Sequence, residues 1–204
     1  MRPVFEASAT AARRIVFAEG EDERVLRTVL AMREEGLTRP ILIGRPEVIS
    51  ARSERSAIPL VAERDYEIVN PESDSRYREY WETYHRIMQR RGVTPDLARA
   101  IMRTNTTAIA AVMVHRGEAD SLICGTFGQY TWHLRYIREI LARDGLAPVG
   151  ALSMIILEDG PLFIADTQCH NDPTPQQVME TVMGALARES VTVLFVEHDM
   201  DIVT

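Results

Sequence analysis

Cysteine, basic charge and long apolar runs are scarce in this sequence, and each shortage excludes a class of protein. Cys124 and Cys169 are the two cysteines among 204 residues, too few for a disulfide framework, and we expect both to be small buried thiols. The 23 basic side chains against 30 acidic ones give a net charge of −7, which disfavours a nucleic-acid partner and is typical of a soluble cytoplasmic protein. The longest apolar runs, such as residues 191–196, are too short to cross a bilayer, so no membrane partner is expected.

The common catalytic motifs are missing as well. The sequence contains neither the G-x-G-x-x-G dinucleotide fingerprint nor a Walker phosphate loop, and it has no G-x-S-x-G nucleophile elbow. None of its histidines belongs to an H-E-x-x-H or a cysteine–histidine metal pattern; they are His85, His115, His133, His170 and His198. The sequence therefore predicts no metal and no resident cofactor.

What the sequence does contain is an alternation of short apolar runs with amphipathic stretches. This alternation predicts a three-layer α/β fold, with a mostly parallel sheet and flanking helices. The apolar runs that predict strands are residues 15–18, 40–44, 66–69, 121–124 and 191–196. The amphipathic stretches predict helices that begin near Asp22, Pro46, Arg76, Thr94, Asn105 and Thr131. Two more apolar runs, 149–157 and 162–165, flank the turn signal Asp159-Gly160 and predict a β-hairpin, with a helix after it up to about residue 188.

The strand ends are candidate ligand sites, because ligands of open α/β sheets collect at the carboxyl ends of the strands. Residues 124–128 follow one predicted strand, and Gly125 and Gly128 would let a ligand approach the backbone on either side of Thr126. Arg135, in the helix that follows, is placed to bind a phosphate with two hydrogen bonds. The alternative is an ordinary turn between a strand and a helix.

Two other strand ends carry acidic residues. Glu19, Glu21 and Asp22 follow the first strand, where they either contact a ligand or cap the next helix and complement its dipole. Asp166 and Thr167 follow the strand at residues 162–165, where Asp166 either orients a ligand or caps a turn. From the residues alone, the prediction is an α/β protein with anion-binding strand ends.

Six segments, taken in order, carry a resemblance to one family. They are RIVFAEGEDERVL at 14–26, PILIGRP at 40–46, YEIVNPE at 66–72, RRGVT at 90–94, RGEADSLICGT at 116–126 and FIADT at 163–167. This series resembles the phosphate acetyl/butyryl transferase domain, in the version fused behind bacterial NADP-dependent malic enzymes. The resemblance implies a phosphate-acetyltransferase-like fold. It further implies acyl exchange between CoA and phosphate for the free transferases, and an acetyl-CoA-responsive regulatory module for the malic enzymes.

The sequence departs from the family pattern at positions that matter for transfer. The free transferases show Leu-Arg-x-x-Lys-Gly where this chain has IMQRRG at 87–92, so Met88 replaces a phosphate-binding arginine. Their His-Ser/Thr-Thr segment is replaced by residues 128–130, whereas Arg135 matches a family arginine. The resemblance therefore implies ligand binding without a catalytic residue, through Gly125, Thr126, Gly128, Arg135, Asp166 and Thr167.

The resemblance also divides the chain. It implies a phosphate-acetyltransferase-like domain over residues 1–188, with a first lobe at 1–145 and the start of an incomplete second lobe at 146–188. Residues 189–204, which include His198, resemble the switch-histidine segment of ABC transporter ATPases and are interpreted as a foreign tail. Chance similarity of a short apolar strand is the alternative for this tail.

The expectation that follows is a truncated regulatory domain that binds acetyl-CoA or another acyl-CoA. Its partners would be a small-molecule acyl-CoA or phosphate, and a homo-oligomer stays open. The alternatives are an active phosphate acetyltransferase and a fragment without function.

Overall fold

The computed structural model describes residues 13–142, 150–157, 160–165, 169 and 172–186. The chain divides into two compact units, Met1–Leu141 and Ala142–Thr204. Within the described ranges, no helix combines the length and the apolar character needed to cross a membrane.

The first unit is built on a four-stranded parallel sheet with the order β3-β2-β1-β4. Its strands are β1 (Ile15–Phe17), β2 (Ile41–Ile43), β3 (Glu67–Val69) and β4 (Ser121–Ile123). Helices connect the strands, as parallel pairing requires. The carboxyl ends of all four strands therefore lie along one edge of the sheet.

The helices of the first unit begin where the sequence signals predict. They are α1 (Glu23–Glu34), α2 (Pro46–Arg55), α3 (Tyr77–Met88), α4 (Pro95–Thr104), α5 (Thr106–His115) and α6 (Tyr130–Leu141). Asp22 caps α1 and Thr94 caps α4, each by accepting a hydrogen bond from a backbone N–H of the first turn. Helix α3 ends at Met88, and the chain continues as a 3-10 turn, Gln89–Arg91.

Two cores, one on each face of the sheet, give the three predicted layers. Side chains alternate along the strands, so Val16 and Ile43 face one core while Phe17 and Leu42 face the other. The first core is completed by α3 to α6, and the second by α1 and α2. The α/β fold with a parallel sheet and flanking helices is confirmed.

Helix α5 lies at the centre of the first core. Every residue from Thr107 to Met113 is buried, which is the mark of a helix surrounded by others. It packs against α3, α4 and α6. This burial fixes the N-terminus of α5 at the edge where the strands end.

The second unit contains the expected antiparallel hairpin, β5 (Leu152–Leu157) and β6 (Gly160–Ala165), and then α7 (Pro175–Leu186). The residues between the two strands, and the tail with His198, lie outside the described residues. The hairpin exposes apolar side chains on both faces, at Leu152, Met154, Ile155, Leu157, Leu162 and Ile164. Helix α7 adds Met179 and Met183 to the exposed apolar residues of this unit.

Candidate functional site

A cleft of about 430 Å³ opens at the carboxyl ends of β1, β2 and β3. Its walls come from the segments that follow these strands, from Phe127 beyond β4, and from Arg103 and Thr106 where α4 meets α5. This is the place that the strand-end rule predicts for a ligand in an open α/β sheet.

Arg45 in this cleft is held by a carboxylate. Its Nε and Nη2 atoms donate to the two oxygens of Glu21 at 2.9 and 3.0 Å, and its backbone N–H donates to Glu21 Oε1 at 3.0 Å. The side-chain hydrogen bond from Arg45 is the main reason that the pKa of Glu21 lies below its ordinary value. The pair therefore neutralises itself and offers little net charge to a ligand.

Arg52 and Arg103 differ from Arg45 because their bonds go to backbone carbonyls. Arg52 donates to the Glu21 carbonyl at 2.7 Å, and Arg103 donates to the Glu72 carbonyl at 3.1 Å. In the described part of the chain, neither guanidinium forms an ion pair with a carboxylate. A guanidinium carries five N–H donors, so both arginines retain donors for an anion.

The N-terminus of α5 adds to this positive side of the cleft. Asn105 caps the helix and accepts the N–H of Ala108 at 2.9 Å, while Thr106 begins the helix and lines the cleft. The first N–H groups of a helix have no partner within it, and the helix dipole makes this end positive. Together with Arg52 and Arg103, this end favours an anionic group.

Asp22 at the end of β1 serves as a helix cap. It accepts the backbone N–H of Arg24 at 2.8 Å and forms an ion pair with the Arg24 side chain, also at 2.8 Å. The Arg24 side-chain hydrogen bond is the largest cause that lowers the pKa of Asp22 to about 2. For Asp22, the capping alternative is therefore confirmed.

The segment at residues 124–129, which we call the β4 loop, borders the cleft through Phe127. Gly125 and Gly128 both have left-handed backbone, with φ of 96° and 89°, which glycine adopts without strain. The buried Glu19 carboxylate accepts the Gly125 N–H, with both oxygens at 3.1 Å. Strand β1 thus fixes the start of the loop.

A histidine of α6 contacts the other end of the β4 loop. His133 Nε2 lies 2.7 Å from the Phe127 carbonyl oxygen, and Nδ1 lies 2.8 Å from Thr107 Oγ1. His133 and Thr107 are buried. A Cβ atom on Gly128 would lie 3.1 Å from His133 Nε2, so the loop passes directly over the ring.

The structure brings three of the six predicted ligand residues beside the cleft and places a fourth elsewhere. Gly125, Thr126 and Gly128 lie in the β4 loop, where Arg24 donates a hydrogen bond to the Thr126 carbonyl. Arg135 is directed along α6, where its Nε donates to Glu139 at 2.8 Å, and it is not part of the cleft lining. Asp166 and Thr167 lie outside the described residues.

Neither a reactive thiol nor a metal group is present in the described residues of this region. Cys124 and Cys169 are half-buried rather than fully buried as expected. Burial is the main cause that raises the pKa of the Cys124 thiol to about 11, and the nearby Glu19 charge adds to it. Cys124 is therefore a neutral thiol near pH 7. In the described ranges, no group of three His, Cys, Asp or Glu residues could hold a metal ion.

Sequence reasoning missed three residues that line the cleft, Arg52, Arg103 and Thr106, and also His133, which contacts the β4 loop. None of the four belongs to a motif, and each comes from a different helix, α2, α4, α5 or α6. The one local signal was Asn105, a typical cap residue that marks the start of α5.

Comparison with known proteins bears out the resemblance. A model of the family described as phosphate acetyl/butaryl transferase matches residues 1–193. The NAD-dependent malic enzyme of Rhizobium meliloti (strain 1021) is 46% identical over 187 residues, which cover 91% of this chain and 24% of that enzyme. The NADP-dependent malic enzyme of Salmonella typhimurium is 44% identical over 192 residues, which cover 94% of this chain and 25% of that enzyme. The chain thus spans about a quarter of the length of these relatives.

A solved structure with the same fold is a phosphotransacetylase from Streptococcus pyogenes, with a TM-score of 0.74 and 24% sequence identity. The match covers 89% of this chain and 56% of that one. At this identity, the likeness establishes the fold alone.

Proposed function

Because the chain belongs to the phosphate acetyl/butaryl transferase family, we propose that it binds acetyl-CoA or a related acyl-CoA as a regulatory ligand, without transferring the acyl group. The cleft at the strand ends supports binding, and the observation that carries it is the pair Arg52 and Arg103 beside the N-terminus of α5. These groups can take up the negative charge of a phosphate-bearing ligand. The malic enzymes among the relatives favour a regulatory rather than a catalytic role for such binding.

The absence of transfer is inferred from Met88. This side chain is 3% exposed and belongs to the first core. The resemblance implies that the free transferases have an arginine at this position. A buried thioether offers no charge to a phosphate.

The setting proposed for this binding is the cytoplasm. A net charge of −7 is typical of a soluble cytoplasmic protein, and it disfavours the extended phosphate backbone of a nucleic acid as a partner.

Two measurements on the full chain test the proposal. The first is a thermal melt with and without acetyl-CoA. A ligand that binds the folded state at about 100 times its dissociation constant adds roughly 2.7 kcal/mol to the free energy of unfolding, so the midpoint should rise. The second is a coupled assay for acetyl phosphate formed from acetyl-CoA and phosphate, which should stay at the background rate.

Each other outcome selects an alternative. Acetyl phosphate formed in proportion to the protein would show an active transferase and refute the regulatory proposal. A cooperative melt that acetyl-CoA does not move would refute binding. A chain without a cooperative melt would be a fragment without function.

Arg135 has a well-matched control in Arg78. Both lie on helices and both donate to a glutamate four residues later at 2.8 Å. If Arg135 leaves Glu139 to bind the ligand, Arg135→Ala should reduce the acetyl-CoA shift of the melting midpoint, whereas Arg78→Ala should leave it unchanged. Equal shifts in the two variants would remove Arg135 from the ligand site.

A further inference from the structure

We propose that His133 is a positioning residue, which holds the β4 loop in the conformation that borders the ligand cleft. The proposal rests on the proposed function for its ligand, but its structural part can be tested without one. The loop contributes Phe127 to the cleft, and His133 is bonded to the backbone of that same residue.

The hydrogen bonds fix which nitrogen of the ring carries a proton. A carbonyl oxygen only accepts, so the bond of 2.7 Å to Phe127 requires a proton on His133 Nε2. In the neutral ring, Nδ1 then accepts from the Thr107 hydroxyl at 2.8 Å. Because Thr107 belongs to the fully buried part of α5, the ring is anchored to the helix at the centre of the first core.

A second buried contact holds the β4 loop two residues before Phe127. Glu19 accepts the Gly125 N–H, and its Oε1 lies 3.8 Å from His133 Nδ1. The side chains of Glu19 and His133 are 2% and 5% exposed. Water therefore competes little with their hydrogen bonds.

A further polar contact to the loop comes from the surface. Arg24 donates to the Thr126 carbonyl, but its side chain is 67% exposed. Exposed arginine contacts contribute little to holding a backbone in place. The buried contacts of His133 and Glu19 therefore contribute more than Arg24 to the position of Phe127, although the Phe127 side chain itself is 61% exposed.

Two substitutions at His133 separate its two bonds. His133→Gln carries an amide nitrogen near the place of Nε2, so it can still donate to the Phe127 carbonyl. His133→Asn is shorter, reaches only the Nδ1 position, and leaves that carbonyl without its donor. His115→Gln, at the end of α5 and away from the cleft, is the control for loss of an imidazole.

Two readouts on the full chain decide the matter: the dissociation constant for acetyl-CoA by titration calorimetry, and the hydrogen-exchange rate of the Gly125 amide. We expect His133→Asn to weaken binding about tenfold, the usual size for one lost buried hydrogen bond, and to speed Gly125 exchange. His133→Gln and His115→Gln should stay close to the unsubstituted chain in both readouts.

Equal behaviour of the Gln and Asn variants, or unchanged exchange at Gly125 in His133→Asn, would overturn the proposal. If the unsubstituted chain does not bind acetyl-CoA, the proposed function fails, and the exchange readout still decides the role of His133. If His133→Asn does not fold, Thr107→Val replaces it, since it removes the donor to Nδ1 with little change of shape. Faster Gly125 exchange in Thr107→Val would support the proposal, and unchanged exchange would overturn it.

Discussion

At the scale of single residues, two arginines of α4 allow the cleft to be tested against a neighbouring surface. The guanidinium carbon of Arg99 lies 4.3 Å from the centre of the Trp81 ring, and that of Arg103 lies 4.2 Å from the centre of the Tyr77 ring. An alanine substitution at either arginine therefore removes one such contact. Arg103 lines the cleft and Arg99 does not. Arg103→Ala should weaken acetyl-CoA binding by about 10- to 100-fold, the range for one charge-assisted hydrogen bond.

Arg99→Ala is the control and should change the dissociation constant by less than about twofold. Titration calorimetry on both variants measures the difference. Equal affinities would mean that the anionic part of the ligand does not bind at the N-terminus of α5.

The glycines with left-handed backbone provide a second residue-scale prediction. Gly117 and Gly128 have φ of 75° and 89°. A Cβ atom at Gly117 would meet nothing within 4 Å, whereas at Gly128 it would press on His133. Both alanine variants should lose roughly 1–2 kcal/mol of unfolding free energy from the backbone conformation, measured by denaturant titration.

Only Gly128→Ala should also weaken acetyl-CoA binding, because it displaces the ring that holds the β4 loop. Weakened binding in Gly117→Ala as well would show that lower stability, and not the position of the loop, is the cause.

The role of a residue can be predicted from the sequence when its partner is close along the chain, and is missed when the partner is far along the chain. Asp22 could be predicted as a cap because its partner is two residues away in the chain. Arg135 was predicted beside a phosphate, but a glutamate one turn later, at an ideal spacing for an ion pair, takes its Nε donor. His133 and Thr107 are 26 residues apart, and no local pattern reveals such a pair.

At the scale of elements, the connection from α2 to β3 depends on one buried carboxylate. Asp65 accepts the Val61 N–H at 2.8 Å and forms ion pairs with Arg64 and Arg33. Its side chain is 3% exposed. The side-chain hydrogen bond from Arg64 is the largest cause that lowers the pKa of Asp65 from 3.8 to about 2.

The sign of the pH effect follows from this lowered pKa. A carboxyl group with a lower pKa in the folded state stabilises the fold above its unfolded pKa and loses that contribution as the pH falls. Asp65→Asn should therefore reduce the free energy of unfolding at pH 7. The difference in unfolding free energy between Asp65→Asn and the unsubstituted chain should narrow as the pH falls from about 4 towards 2.

Denaturant titrations over this pH range measure the gap. Asp96→Asn is the control, because its side chain is 92% exposed and its pair with Arg99 should contribute under about 1 kcal/mol. A gap at Asp65 that does not depend on pH would show that the lost carboxylate acted through its shape rather than its charge.

The sequence predicts which segments form helices and strands more completely than it predicts the residues at which they begin and end. The four parallel strands have apolar runs that are clear in the sequence, and β1 and β2 alternate between two buried faces. The end of α3 could not be predicted, because the chain tightens into a 3-10 turn before Gly92, whose φ is 85°. The start of β5 at Leu152 rather than at residue 149 likewise depends on its register with β6.

At the scale of the whole molecule, family membership accounts for the fold, and individual residues account for the proposed loss of transfer. The parallel sheet and its helices are those of a phosphotransacetylase structure at 24% identity. Met88 in the core and Arg45 paired with Glu21 are features of this chain. These observations are consistent with the proposed module, which would bind a ligand in the cleft without acyl transfer.

Titration calorimetry of acetyl-CoA into the full chain, with inorganic phosphate present, tests this reading most directly. We expect a saturable heat of binding that returns to the baseline after each injection, since a bound ligand that is not turned over releases no further heat. A heat that continues after each injection, while acetyl-CoA and phosphate react towards their transfer equilibrium, would contradict the absence of transfer. The lack of any heat above dilution, at several temperatures, would contradict binding itself.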